Sequence, residues 1–208
     1  RPGIMKLKPY SGGESVIAGT NRVIKLSSNE GAFGPSPQST QAYEKVSDTL
    51  HRYPDGSALK LRLTIEKVHN IDHKLIVCGC GSDEIISLIC KAYAGPGDEV
   101  LYSQFGFLMY PIAAMAVGAT PVSAAETNLT TNVDSLLDSV TSRTKLLFLA
   151  NPNNPTGTYI PKRELIRLRK NLPKNIIDLD FGVKKNILLL AEAKNVRPHE
   201  LTACVLKR

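Results

Sequence analysis

Short apolar runs alternate with stretches of helical spacing between residues 75 and 171, and this alternation constrains the fold more than any other feature. Glycine and proline bound the apolar runs, which is typical of buried strands. Strands separated by helices need crossover connections, which make the sheet parallel and cover both of its faces. The sequence therefore predicts an α/β fold with a mostly parallel sheet. Its predicted strands are 75–78, 99–102, 119–122 and 145–150, and its predicted helices are 83–94, 108–117, 133–140 and 161–171.

The first part of the chain has a different character. Residues 1–21 are rich in proline, glycine and serine and show little periodicity, which predicts an extended arm. A short strand is predicted at 22–27, and helices are predicted at 36–50 and 59–69. Pro37 lies where the first turn of a helix tolerates proline.

Composition narrows the possible ligands and locations. The 208 residues are 42% hydrophobic, which is enough to bury a substantial core. The net charge is +7, but the basic residues are scattered, which favours a small anionic ligand over nucleic acid. No apolar run has the length of a membrane span and the first residues lack the hydrophobic core of a signal peptide, so a cytoplasmic location is predicted. The cysteines and histidines lack the spacing of a zinc site, and no metal is predicted.

Ligands of open α/β sheets bind beyond the carboxyl ends of the strands, and the loop after 75–78 carries groups suited to an anion. This loop, GCGSDE at 79–84, leads directly into a helix. Its backbone amides, the helix dipole and the Ser82 hydroxyl are suited to a phosphate. The alternative is a glycine-rich turn in which Ser82 or Asp83 caps the helix.

The loops after the next two strands carry aromatic and amide groups. SQFGFLMY at 103–110 places aromatic rings at a strand end, where a flat ligand could stack, although core packing is also possible. NPNNPTG at 151–157 holds three asparagines between prolines that restrict the backbone. An asparagine amide here either binds a ligand oxygen or caps the next helix.

An anion loop, a stacking aromatic and a fixed asparagine together suit a phosphorylated aromatic cofactor. With these motifs the chain resembles the fold-type I aminotransferases that use pyridoxal 5'-phosphate, and within them the histidinol-phosphate aminotransferases. The resemblance covers about four-fifths of the chain, from residue 1 to about 172, and implies the three-layer large domain of that fold. The motifs that carry it are RPGI, KLSSNEGAFGPSP, RYPDG, GCGSDEII, GPGDEVL, FGFLMYP and NPNNPTGTYIP.

The resemblance implies roles for residues at the ends of the strands. Asn154 corresponds to the asparagine that hydrogen-bonds the phenolic oxygen of the cofactor, and Phe107 to the ring that stacks on its pyridine face. Gly81, Ser82 and Asp83 correspond to the loop that holds the cofactor phosphate.

The resemblance also implies partners and a reaction. Tyr53 corresponds to a tyrosine that reaches the cofactor phosphate of the partner subunit, so a homodimer is expected. Tyr10, Asn29 and Glu30 border the substrate in this subfamily. The reaction exchanges an amino group between L-histidinol phosphate and 2-oxoglutarate in histidine biosynthesis.

The sequence departs from the family where the chemistry needs a lysine. In the family a lysine holds the cofactor as a Schiff base and moves the proton, and it lies in a Ser-Lys motif followed by Gly-Leu-Ala-Gly. No such segment occurs here. Lys184, Lys185 and Lys194 lie in or beside GVKKNILLLAEAKN, whose pattern predicts an amphipathic helix. Asp178 or Asp180 is the candidate partner of the pyridine nitrogen, without the alanine and tyrosine of the family's Asp-x-Ala-Tyr.

The same departure bears on the organisation of the chain. Residues 1–50 are predicted to be the arm and a small-domain segment, 51–180 an incomplete cofactor-binding domain, and 181–208 a divergent tail. The family's sheet has two further strands between 75–78 and 145–150, which this chain lacks. Either the tail, at 187–190 or 203–206, fills part of the gap, or the chain is a fragment, a decayed or frameshifted gene product, or unstable alone.

Three functions follow from these patterns. The first is an impaired or truncated histidinol-phosphate aminotransferase, with a relative acting on aromatic amino acids as the nearest alternative. The second is a noncatalytic module that binds pyridoxal phosphate or another phosphorylated ligand. The third is a remnant without function.

Overall fold

The computed structural model describes residues 4–7, 16–19, 23–25, 28–29, 33–184, 187–191 and 203–206, with side chains as far as Asp178. Two compact units divide the chain. One comprises Leu59–Arg208 with Arg1–Lys8, and the other comprises Pro9–Ala58. The domain boundaries predicted at residues 50 and 180 stay predictions. Within the described ranges, none of the helices has the length and apolar character needed to cross a membrane.

The smaller unit contains helix α1, Pro37–Val46, followed by a 3-10 turn at Ser47–Thr49. The Ser36 hydroxyl caps this helix by accepting from the Ser39 N–H at 3.2 Å. The helix therefore begins where the sequence predicted, with Pro37 in its first turn. The strand predicted at 22–27 lies partly outside the described residues, and its described part, 23–25, is not in a strand.

The larger unit is built on a seven-stranded sheet in the order β1-β9-β8-β7-β6-β2-β3. All neighbouring strands pair in parallel except β8, which is antiparallel to both of its neighbours. A separate two-stranded hairpin joins β4 and β5. The strands are β1 Val77–Cys78, β2 Glu99–Ser103, β3 Thr120–Ala124, β4 Glu126–Thr127, β5 Thr130–Thr131, β6 Thr144–Ala150, β7 Ile177–Lys184, β8 Ile187–Ala191 and β9 Ala203–Leu206.

Helices cover both faces of the sheet, as the sequence predicted. On β6, Leu146 and Phe148 pack with residues of α3 and α4, whereas Leu147 and Leu149 pack with residues of α5 and α6. Because both sides of β6 are buried, its sequence is a continuous apolar run rather than an alternating one. The helices of this unit are α2 Leu59–His69, α3 Ser82–Tyr93, α4 Met109–Ala116, α5 Val133–Asp138 and α6 Lys162–Asn171.

The tail enters the middle of the sheet. Strands β8 and β9 lie between β1 and β7, so both segments of the tail named in the sequence prediction fill the gap in the sheet. The amphipathic helix predicted from GVKKNILLLAEAKN is wrong, because β7 extends to Lys184 and β8 spans Ile187–Ala191. An apolar run of this length fits either a helix or a buried strand. The strand forms here because it satisfies the backbone hydrogen bonds of the neighbouring strand edges.

The β4–β5 hairpin has no counterpart in the sequence prediction. Its strands have two residues each, too few for a period to appear. The turn residues Asn128 and Leu129 both have positive φ, +51° and +58°, as tight hairpin turns require. Leucine rarely adopts this conformation, so the usual glycine signal is absent.

A buried carboxylate fixes the amino end of the sheet. Glu99, the first residue of β2, is 3% exposed. Its carboxylate accepts hydrogen bonds from the Thr141 hydroxyl and from the Arg143 guanidinium, whose Nε lies 2.9 Å away. The Thr141 hydrogen bond, followed by the Arg143 interactions, holds the pKa of Glu99 below its usual range, although burial acts in the opposite direction.

We expect Glu99→Gln to lower the free energy of unfolding by about 1–2 kcal/mol at neutral pH, because the acceptor loses its negative charge and with it the ion pair to Arg143. A carboxylate with a lowered folded pKa stabilises the protein above the ordinary value of 4.5, and this contribution disappears as the pH falls through the folded pKa. Urea unfolding at about pH 7 and about pH 3 should therefore show a difference between the two proteins that shrinks in acid. Glu44→Gln, on the exposed helix α1, is the control, and an equal difference at both pH values would contradict the prediction.

Candidate functional site

Parallel pairing brings two of the three predicted loops together at the carboxyl edge of the sheet. Tyr102 of β2 lies opposite Phe148 of β6, so the loops that follow these strands are neighbours. β1 runs in the same direction but is separated from β6 by three strands. The hydrogen bonds at 79–83 join neighbours in sequence, such as the Gly81 N–H and the Gly79 carbonyl at 2.9 Å.

Two of the three asparagine side chains in the turn after β6 are hydrogen-bonded to other residues of the chain. Asn151 donates from Nδ2 to the Ile160 carbonyl at 3.0 Å and accepts from the Ile160 N–H at 3.0 Å. Asn153 is 5% exposed and donates from Nδ2 to the Phe105 carbonyl at 3.1 Å and to the Thr156 hydroxyl at 2.9 Å. The partly buried Asn154 side chain makes no hydrogen bond to any part of the chain that the structure describes. Asn154 is therefore the amide that remains available to a ligand.

The aromatic loop after β2 is fixed by ring packing. Phe107 meets the buried Tyr110 edge to face, with ring centroids 6.0 Å apart, and Tyr110 stacks on Phe148 at 4.9 Å. Phe107 itself remains partly exposed. Its ring is thus held from one side and accessible from another, which suits stacking against a flat ligand.

The loop after β1 ends at the N-terminus of α3. Gly81 occupies the cap position with φ +88°, a conformation that favours glycine, and no side chain caps the helix. The predicted alternative in which Ser82 or Asp83 caps α3 is therefore wrong, since both belong to its first turn. The Ser82 hydroxyl bonds the Asp83 carboxylate at 3.3 Å, and Glu84 accepts from the Cys80 N–H. Because no side chain fills the cap, the first-turn amides can bind an anion.

The two candidate aspartates lie on β7. Asp178 is 1% exposed, pairs with Leu147 in register, and accepts from Arg169 of α6 at 3.3 Å. Asp180 pairs with Leu149, which places its backbone closer to the carboxyl edge. By register, Asp180 is the one nearer the asparagine turn.

The remaining predicted residues lie in the smaller unit or outside the described residues. Tyr53 is fully exposed and Asn29 has positive φ, +52°, both in the smaller unit. Tyr10 and Glu30 fall outside the described residues, as do Lys185 and Lys194. Lys184 is the last residue of β7.

The fold and these strand-end loops are those of the aminotransferase family. Residues 21–178 match the family described as aminotransferase class I and II, and the chain belongs to this family.

Related proteins resemble the chain over most of its length. It is 60% identical over 177 residues to a histidinol-phosphate aminotransferase of Paramagnetospirillum magneticum, covering 85% of this chain and 49% of that protein. It is 55% identical to the histidinol-phosphate aminotransferase of Rhodospirillum rubrum, covering 85% of this chain and 48% of that protein. The chain thus spans about half the length of these relatives.

A solved structure shares the fold. Histidinol-phosphate aminotransferase from Sinorhizobium meliloti in complex with pyridoxal-5'-phosphate superimposes with a TM-score of 0.70 at 23% identity. The alignment covers 74% of this chain and 42% of that one. The predicted fold class, an α/β fold with the three-layer, mostly parallel sheet of the fold-type I large domain, is confirmed.

Proposed function

We propose that this chain is the cofactor-binding part of an aminotransferase that exchanges an amino group between L-histidinol phosphate and 2-oxoglutarate. The observation that carries the proposal is the uncommitted amide of Asn154, held beside the loop of Phe107. The relatives named histidinol-phosphate aminotransferase, at 55–60% identity, support the substrate. An aromatic amino acid as substrate remains the alternative.

The residues at the sheet edge fit pyridoxal 5'-phosphate. Asn154 would hydrogen-bond the phenolic oxygen, and Phe107 would stack on the ring. Gly81, Ser82 and Asp83 would bind the phosphate through backbone amides. Asp180 or Asp178 would face the pyridine nitrogen. When bound, this cofactor supplies an electron sink for bonds at the amine-bearing carbon, and the chain's residues orient it.

The proposal extends to the partner subunit and the substrate. Complete exposure of Tyr53 suits a residue that reaches the cofactor phosphate in a second copy, so a homodimer is proposed. Tyr10, Asn29 and Glu30 would border the substrate. A cytoplasmic location and small-molecule partners, without nucleic acid, complete the proposal.

A noncatalytic binding function is the second candidate for the 208 residues taken alone. It is favoured by the sequence after 172, which lacks the family's Ser-Lys motif and forms strands β7 and β8. This second candidate predicts binding of the cofactor without turnover.

Titration of the chain with pyridoxal 5'-phosphate tests both candidates. We expect saturable binding, which the absorbance and circular dichroism of the cofactor report. Pyridoxal, which lacks the phosphate, should bind at least roughly tenfold more weakly, since charge-assisted bonds to the α3 amides are lost. Inorganic phosphate should compete. Equal affinity for both aldehydes, or no saturation in a chain shown by circular dichroism to be folded, would reject the proposed site.

A further inference from the structure

The aromatic loop after β2, the asparagine turn after β6 and the β4–β5 hairpin are joined by a closed ring of hydrogen bonds. Asn153 provides the bond between the first two. We infer that Asn153 is a positioning residue that fixes the aromatic loop of Phe107 against the turn of Asn154. The effect of Asn153 on cofactor binding rests on the proposed function, whereas its effect on the position of the two loops does not.

Asn153 makes the direct link between the two loops. Its Nδ2 donates to the Phe105 carbonyl, 48 residues away in sequence, and to the Thr156 hydroxyl in its own turn. Its backbone is also engaged, because its N–H donates to the Thr158 carbonyl and its carbonyl accepts from the Gly157 N–H, both at 2.8 Å. Both the side chain and the backbone of Asn153 are therefore hydrogen-bonded, which restricts the movement of its link to Phe105.

The β4–β5 hairpin completes the ring. On one side the Phe105 N–H donates to the Glu126 carboxylate at 3.1 Å, and the Gln104 side chain accepts from the Glu126 N–H at 3.2 Å. On the other side the Thr158 hydroxyl donates to the Leu129 carbonyl at 2.7 Å. Thr158 and Thr156 hydroxyls are 2.7 Å apart, which returns the ring to Asn153.

Gly106 joins Phe105 to Phe107, and its backbone is closely packed and hydrogen-bonded. A Cβ on Gly106 would lie 2.9 Å from the Ser103 carbonyl oxygen and 3.4 Å from the Tyr110 ring. The Gly106 N–H also donates to the Ser103 carbonyl at 2.8 Å. A shift of the Phe105 carbonyl should therefore move the Phe107 ring.

Asn151 provides a matched control. It lies in the same turn and makes two side-chain hydrogen bonds, but both go to Ile160 within the turn's own segment. Removing Asn151 should loosen the turn without releasing the aromatic loop.

Hydrogen–deuterium exchange of the chain without ligand tests the link. We expect Asn153→Ala to raise exchange of the amides at 104–107 roughly tenfold, as loss of one or two buried hydrogen bonds implies. Asn151→Ala should leave 104–107 unchanged and raise exchange at Ile160. Asn153→Ser, which keeps one donor, should give an intermediate result and serves if the alanine variant does not fold. Unchanged exchange at 104–107 in a folded Asn153 variant would overturn the inference.

Pyridoxal 5'-phosphate titration then tests the consequence. Asn153→Ala should weaken binding about tenfold. Phe107→Leu should weaken binding less in the Asn153→Ala variant than in the unsubstituted chain, because a displaced ring no longer stacks. Affinity for inorganic phosphate should not change, since the loop at 79–83 is not part of the ring. Additive effects of the two substitutions would overturn the positioning role. Absence of binding by the unsubstituted chain would instead reject the proposed function, and the exchange result would still decide the role of Asn153.

Discussion

Mixed with pyridoxal 5'-phosphate, L-histidinol phosphate and 2-oxoglutarate, the purified 208-residue chain is expected to form no glutamate above background. The reaction needs an amine that moves a proton between two carbon atoms, and the family uses a lysine in a Ser-Lys motif for this step. Nothing in the 208 residues matches that motif. Typical enzymes turn over at about 10 per second, so a coupled glutamate assay has ample range to detect even a strongly reduced rate.

The relative from Paramagnetospirillum magneticum provides the comparison. Assayed in parallel, it should be active, whereas the same protein shortened to the segment that aligns with this chain should be as inactive as the chain itself. Borohydride reduction followed by peptide mapping should label no single lysine of the chain. Glutamate formation reproducibly above background would refute the prediction and point to one of the lysines after Asn154.

The second large effect is expected for Asn154→Ala. Loss of a hydrogen bond to an anionic ligand oxygen costs about 1.5–3 kcal/mol, so affinity for pyridoxal 5'-phosphate should fall roughly 10- to 100-fold. Thermal stability without the cofactor should hardly change, because the Asn154 side chain makes no hydrogen bond within the described residues. Calorimetric titration and thermal unfolding of the same preparations measure both quantities.

Asn151→Ala is the complementary variant, because it should show the reverse pattern. It removes two hydrogen bonds to Ile160 and should lower the melting temperature by several degrees, with a smaller effect on affinity at temperatures where it is folded. If Asn154→Ala destabilised the unliganded chain as much as Asn151→Ala does, Asn154 would be a structural residue and the proposed cofactor contact would be lost.

The sequence predicted the elements whose patterns are local and strong. Strand β6 is buried on both faces, so its apolar run is continuous, and NPNNPTG ends it with two prolines and a glycine. Pro37 after Ser36 likewise predicted the start of α1. Such features depend on neighbours in sequence, which is why they can be predicted without the fold.

Other features depend on contacts between distant residues. Whether Ile187–Ala191 forms a helix or a strand depends on the strand edges available to it, and β8 pairs with β7 and β9. The candidate site shows the same limit, because the pattern of the turn offered three asparagines and only the family resemblance singled out Asn154. The structure shows that Asn153 bonds the Phe105 carbonyl of a distant segment and that Asn151 bonds Ile160, whereas the Asn154 side chain makes no hydrogen bond within the described residues.

The pairing of β1 with β9 has a consequence for biosynthesis. Val77 pairs with Ala203, and β8 and β9 connect β1 to the rest of the sheet. A ribosome synthesises the chain from its N-terminus at about 5–20 residues per second, so β1 leaves the exit tunnel seconds before β9 has been synthesised. Contacts this distant in sequence also slow folding itself. During that interval β1 has an unpaired edge, and nascent chains are most exposed to chaperones and to misassembly at this stage.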